Sequence, residues 1–165
     1  MQWIKRKFEF DFPVSGYTGL IDRLRKTPSR IEQLTAKLQP GDLTLQPGGK
    51  WSVQEHVGLL LDLESLFNGR LEDFESEAEV LRPADMTNQK TYDADHNKSE
   101  FISIMSTFSR VRGQLVQRLE AYPMEMFGKI AQHPRLDKPM RVVDSLYFQA
   151  EHDDHHVETI IRILS

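Results

Sequence analysis

The 165-residue sequence contains no cysteine. A disulfide framework, a thiolate metal site and a cysteine nucleophile are therefore excluded. No apolar run approaches the roughly 20 residues of a membrane span, and the opening Met1-Gln-Trp-Ile-Lys-Arg-Lys-Phe8 lacks a signal peptide's apolar stretch. The expectation is a soluble, cytoplasmic protein with no membrane partner. An excess of basic charge is missing too: 21 Lys and Arg face 25 Asp and Glu, for a formal net charge of −4. The short basic runs at 5–7 and 23–26 do not outweigh the acidic tract Glu72, Asp73, Glu75, Glu77 and Glu79. Binding to nucleic acid needs a broad basic face, so no nucleic-acid partner is expected. Gly48-Gly49-Lys50-Trp51-Ser52 lacks the earlier glycine and preceding strand of a phosphate loop.

What the sequence does contain is helical periodicity. With 39% apolar and 28% charged residues, residues 1–165 read as one domain with a real core, preceded by an arm over 1–15. The arm has extended character (Trp3, Ile4, Phe8, Phe10, Phe12) and stops at Pro13. Leu20, Ile21 and Leu24 share a helical face. Thr27-Pro28 predicts an interruption, with a second segment carrying Ile31, Leu34 and Leu38. Ser52-Val-Gln-Glu55 is a capping box, and the helix behind it, to about Phe74, is apolar on too many sides to be anything but buried. Residues 80–97 lack periodicity and predict a long crossover loop. Asn97-Lys-Ser-Glu100 predicts a cap for a helix that carries Phe101, Ile104, Phe108, Val111, Leu115 and Leu119 and ends at Pro123. Residues 124–141 form a second long connection, and the last helix runs from just after Pro139 to about Leu164. Four long helices with two long crossovers make an all-α four-helix bundle.

The last helix reads His152-Asp153-Asp154-His155-His156. His152 and His156 stand at i and i+4, stacked on one face as metal ligands on a helix must be. His152 with His155 is a poorer pair. Neutral imidazole suits several transition metals, so the spacing does not choose among them. Glu151, Asp153 or Asp154 could hold a ring N–H behind the ligands. A pair on the bundle face with no third ligand would instead be ordinary hydrogen-bonded polar groups.

Gly49-Lys-Trp-Ser-Val-Gln-Glu-His56, Leu61-Asp-Leu-Glu64 and Ala150-Glu-His-Asp-Asp-His-His156 together resemble the DinB/YfiT-like family. Leu81-Arg-Pro-Ala-Asp-Met-Thr-Asn88, Ala94-Asp-His-Asn97, His133-Pro-Arg-Leu136 and Pro139-Met-Arg141 are similar to one subgroup of it. The resemblance implies an up-down-down-up bundle, frequently a homodimer. It also implies a divalent metal, zinc or nickel, held by one histidine of the second helix and two of the fourth. The fourth-helix pair carries over onto His152 and His156. The second-helix ligand, eight residues after the tryptophan, falls on Leu59, which cannot ligate. Asp62 is the candidate third ligand. Glu55 is accounted for by its cap, and His56 is expected to point partly away.

Two functions compete. In the first, relatives of this kind use a metal to activate water or a thiol, giving hydrolysis or thiol transfer with a small-molecule thiol as partner. Asp153 would then orient a ligand, and Tyr92, His96 and Asn97 on the crossover would touch substrate. In the second, the bundle is a metal-free small-molecule-binding or interaction module that lost catalysis with the missing histidine. DNA binding, suggested by the family's "damage-inducible" label, is opposed by the acidic balance. Trp3 and Trp51 read as packing residues.

Overall fold

In the computed structural model, which describes residues 2–165, four long helices carry the fold. They are α1 (Tyr17–Thr35), α3 (Val53–Glu75), α5 (Phe101–Glu120) and α6 (Val142–Leu164). Two short helices, α2 (Pro40–Thr44) and α4 (Gln89–Ala94), lie in the connections. A hairpin of β1 (Ile130–His133) and β2 (Lys138–Arg141) precedes α6. Among the described residues, no helix is long and apolar enough to cross a membrane.

α1 packs on α5 and α6, and α3 packs on the same two, so the cyclic order is α1–α5–α3–α6. Side-chain cross-links give the directions. Arg112 reaches Glu64 and Arg118 reaches Glu75, so α3 and α5 run parallel. Leu20 and Leu24 share one apolar cluster with Leu115 and Leu119, while Ile31 further along shares the other with Ile104 and Phe108, so α1 runs against α5. His56 near the start of α3 meets His156 near the end of α6, making that pair antiparallel. The result is the up-down-down-up bundle. Parallel neighbours need a return path along the bundle, which is the physical reason for the long stretch between α3 and α5.

Two apolar clusters fill the interior, one around Leu24, Phe67, Leu115 and Ala150, the other around Ile31, Leu60, Phe108 and Val157. Between them lies a buried polar layer to which every long helix contributes: Thr27 of α1, Glu64 of α3, Arg112 of α5, and Gln149 and Asp153 of α6. The Arg112 guanidinium sits between the Glu64 and Asp153 carboxylates at 2.7 and 2.6 Å, and Thr27 donates to Asp153 at 2.7 Å.

This layer explains the first departure from expectation. α1 does not break at Thr27-Pro28 but runs through with Pro28 inside. Proline there removes the N–H that would serve the Leu24 carbonyl four residues earlier. Arg112 Nη1 donates to that carbonyl at 2.9 Å, so no backbone group is orphaned and the helix continues.

The capping box of α3 forms as expected: Glu55 N donates to Ser52 Oγ at 3.1 Å and Ser52 N to the Glu55 carboxylate at 2.7 Å. The cap expected from Asn97 does not form. α5 starts after Glu100 with no side-chain cap, and Asn97 instead accepts from Ser52 Oγ at 2.7 Å, bracing the start of α3. The 80–97 crossover is more ordered than its lack of periodicity predicts. Asp85 accepts from the backbone N–H groups of Thr87 and Gln89, both at 2.9 Å, and so starts α4. The crossover lies against two glycines of α3. A Cβ on Gly58 would stand 2.2 Å from the His96 ring, and one on Gly69 2.1 Å from the Arg82 guanidinium.

Residues 124–141 hold the β-hairpin, which adds one small sheet to a helical class; Ala131 and Met140 pair across it and are buried. The N-terminal arm makes 3-10 turns at Trp3–Lys5 and Val14–Gly16 and pairs with no strand among the described residues. Its carbonyls are met by side chains: Lys138 donates to Phe8 at 2.6 Å and Arg141 to Phe12 at 3.0 Å.

Candidate active site: a histidine cluster on an apolar pocket

The antiparallel packing of α3 on α6 brings three histidines together. His56 Nδ1 lies 2.9 Å from His156 Nδ1, and the His152 and His156 rings are 4.6 Å apart, centre to centre. His155 flanks them, its ring 5.3 Å from that of His156. Burial is the main reason that all four resist protonation. It takes His56 and His152 down to about 4, and His156 well below the usual imidazole range, with the neighbouring His152 and His56 adding to the effect. His155 is lowered by burial and then by Arg162. At neutral pH the rings are neutral, each with one unprotonated nitrogen. In the His56–His156 contact one Nδ1 donates and the other accepts. The Nδ1 of His152 is buried with no partner among the described residues, a state that costs about 1–3 kcal/mol unless something else meets it.

His152, His155 and His156 form one wall of a pocket of about 440 Å³, and His56 stands against His156 off that wall. Its side wall is a stripe of α3, Leu59, Leu63, Leu66 and Phe67, at the spacing of one helix face, and Arg70 ends the stripe. Trp3 from the arm and Trp51 ahead of α3 close it. The Trp3 ring is 4.9 Å from that of His152, and Trp51 is 5.7 Å from His56. Pro83 to Met86 of the crossover and the hairpin tip His133 to Arg135 complete the enclosure.

The expected site residues divide. His152 and His156 come together and line the pocket, and Leu59 lines it beside them. Asp62, expected as the third ligand, is engaged elsewhere: its Oδ2 accepts from Thr91 Oγ1 and faces His96 Nε2, both at 2.8 Å. Three residues beyond Leu59, it looks toward the crossover instead of the histidines. Asp153 holds no imidazole; it belongs to the buried Arg112 layer. His96 is buried against Gly58, Asn97 braces Ser52, and neither lines the pocket; their polar atoms serve the crossover. Tyr92 is exposed, 5.6 Å from Trp51 and also off the pocket wall. His56 was expected to point partly away, yet it meets His156. The available signal was its place one turn before Leu59 on the same face. Trp3 and Trp51, read as packing, are pocket walls, and Arg70 was legible as a lone cation in an apolar stripe.

The sequence pattern of the DinB superfamily matches residues 23–160. The chain belongs to the DinB superfamily. Among solved structures it is similar to YfiT from Bacillus subtilis, with a TM-score of 0.80 at 18% identity, over 96% of this chain and 91% of that one. That protein is described as a probable metal-dependent hydrolase with an unusual four-helix bundle topology. At this identity the likeness establishes the fold of this DinB-superfamily chain and no more. None of the curated proteins matches it significantly.

Whether a metal fits can be asked of the side chains directly. Among the described residues no three His, Asp or Glu side chains form a ready metal-binding group. The donor chemistry is nevertheless suitable. Two Zn–N bonds of about 2.0–2.1 Å at angles of about 90–110° put the nitrogens about 2.9–3.4 Å apart. The His56–His156 separation of 2.9 Å falls there, and the His152 ring, whose Nδ1 has no partner among the described residues, lies 4.6 Å from that of His156, centre to centre.

Proposed function

We propose that this DinB-superfamily chain is a small-molecule enzyme of the metal-dependent hydrolase or thiol-transferase kind, with His152, His156 and His56 as ligands of a divalent transition metal, zinc or nickel. The observation that carries the reading is the meeting of three neutral imidazoles from two helices, His152 and His156 on the wall of an apolar pocket and His56 against His156. His56 takes the part that Leu59 cannot. When bound, such a metal lowers the pKa of a water or thiol and supplies the nucleophile.

The chain's own residues do the rest. Trp3, Trp51 and the α3 stripe keep bulk water from the reacting centre, which strengthens every polar interaction inside it. His155, on the pocket wall and half-buried, is placed to take or return a proton. Asp153 is a positioning residue: through Arg112 it fixes the turn of α6 that carries His152 and His156. Asp62 does the same for the crossover through His96.

One observation favours a second reading. Leucine stands where a ligand is expected, and no ready metal group exists among the described residues, as in a binding module that has lost its chemistry. Elemental analysis of tag-free protein separates the two. The enzyme reading expects about one zinc or nickel per chain, lost in both His156→Ala and His56→Ala. Metal far below stoichiometric after reconstitution would leave the binding module. An activated ester, and separately a small thiol with an electrophile, then distinguish hydrolysis from transfer.

A further inference from the structure

At the end of the pocket away from the histidine pair lie two guanidiniums without counter-ions. Arg70 is only 2% exposed, yet among the described residues no carboxylate lies within salt-bridge distance of it or of Arg135. The carboxylate acting most strongly on Arg70, Asp73, is already gripped by Arg82 through two side-chain nitrogens. Arg70 Nε donates to the Arg82 carbonyl at 3.1 Å, and Arg135 Nη1 reaches the Ile4 carbonyl at 3.4 Å. Their remaining N–H groups have no acceptor to match their charge. Burial lowers Arg70 to about 10, which still leaves it charged at neutral pH.

His133 makes the arrangement more specific. Its Nδ1 accepts two backbone N–H groups, from Arg135 at 3.2 Å and Leu136 at 3.1 Å. That places the ring proton on Nε2. Arg70 Nη1 lies 3.3 Å from this same Nε2, so two donors face each other across the pocket wall. Among the described residues no acceptor answers them. An oxygen carrying negative charge between Arg70 and His133, with Arg135 beside it, would accept from both and neutralise the excess.

We propose that Arg70, His133 and Arg135 form the anion-binding end of the pocket and that its ligand is a small amphipathic carboxylate. The acid group sits in this cradle. The apolar body lies along Leu63, Leu66 and Phe67, with the reacting group reaching the histidines. The wall's charge favours a monoanion: Arg70 and Arg135 are opposed by a single carboxylate, Asp85, whose oxygens are engaged by Thr87 and Gln89. Arg135 packs over Phe148, its guanidinium 5.8 Å from the ring centre, which keeps it at the pocket edge where it can close on a bound acid. The inference names the substrate class of the pocket taken above as the active site, and it does not depend on the metal.

The test is a calorimetric titration of the EDTA-treated full chain with 4-phenylbutyrate and its neutral isostere 4-phenylbutanamide, inorganic phosphate serving as the dianion control. The carboxylate is expected to bind at least about tenfold tighter than the amide, from the loss of charge-assisted hydrogen bonds in the latter. Arg135→Met keeps the contact on Phe148 and is expected to remove most of that preference. Arg70→Lys, which retains the charge but not the fork, is expected to lose part of it. Equal binding of acid and amide, an undiminished preference in Arg135→Met, tighter binding of phosphate, or no saturable binding of either probe would overturn the proposal. Repeating the titration in His156→Ala separates the two hypotheses: a preserved preference with no metal in the wild type keeps the anion site and removes the metalloenzyme.

Discussion

Replacing Arg112 with leucine tests the account of the bundle's interior and of the α6 turn that carries the histidines. Arg112, Glu64 and Asp153 are each 1% exposed. The guanidinium donates to Glu64 Oε1 at 2.7 and 3.0 Å, to Asp153 at 2.6 and 3.2 Å and to the Leu24 carbonyl at 2.9 Å. Leucine leaves two buried carboxylates with no cation and a helix carbonyl with no donor. Removing one partner of a buried ion pair costs about 3–5 kcal/mol. The orphaned carbonyl beside Pro28 adds about 1–3 kcal/mol. For a chain of this size the melting temperature should fall on the order of 10–20 °C. The loss should also depend on pH. Burial already raises Glu64, with Arg112 holding it down. Without Arg112 the Glu64 carboxyl rises further above its unfolded value, so the folded variant takes up protons as the solution is acidified. Its deficit against wild type should therefore shrink between neutral pH and pH 5. Adding Glu64→Gln and Asp153→Asn should restore most of the stability at neutral pH. Urea unfolding across pH measures all three. A deficit below about 1 kcal/mol, or one that does not shrink on acidification, would refute the view that this layer is held by charge.

Other consequences follow from the same geometry. Gly58→Ala should destabilise by about 1–3 kcal/mol through overpacking, because its Cβ would stand 2.2 Å from the His96 ring; helix propensity alone predicts a gain of about 1 kcal/mol. The sign of the change in urea midpoint decides between them, and amide exchange should show the 89–98 segment loosened. The metal-free protein should lose stability as pH falls from 6.5 toward 4. His56, His133 and His152 stay neutral in the folded state down to about 4 whereas the unfolded chain protonates near 6.5. His152 alone should account for about 2 kcal/mol by pH 5, and a urea midpoint unchanged between pH 7.5 and pH 5 would contradict the burial of these rings.

The long helices, the Ser52–Glu55 cap and the i, i+4 pair of His152 and His156 were legible in the sequence, because each depends on residues within a turn or two of one another. The helix-breaking signal of Pro28 was also local, and it misled. Its missing donor is replaced by Arg112, 88 residues away from Leu24. Asp62 and His56 show the same limit within one helix. Both lie one turn from Leu59, and only the packing of α3 against α6 on one side and the crossover on the other sends His56 to His156 and Asp62 to His96. Sequence by itself determined which residues could be helical, buried or metal-binding, since periodicity and residue chemistry are properties of short segments. Which of them meet, and where two arginines are left without counter-ions, was decided by the tertiary structure, because a side chain's partner comes from whichever helix packs against it.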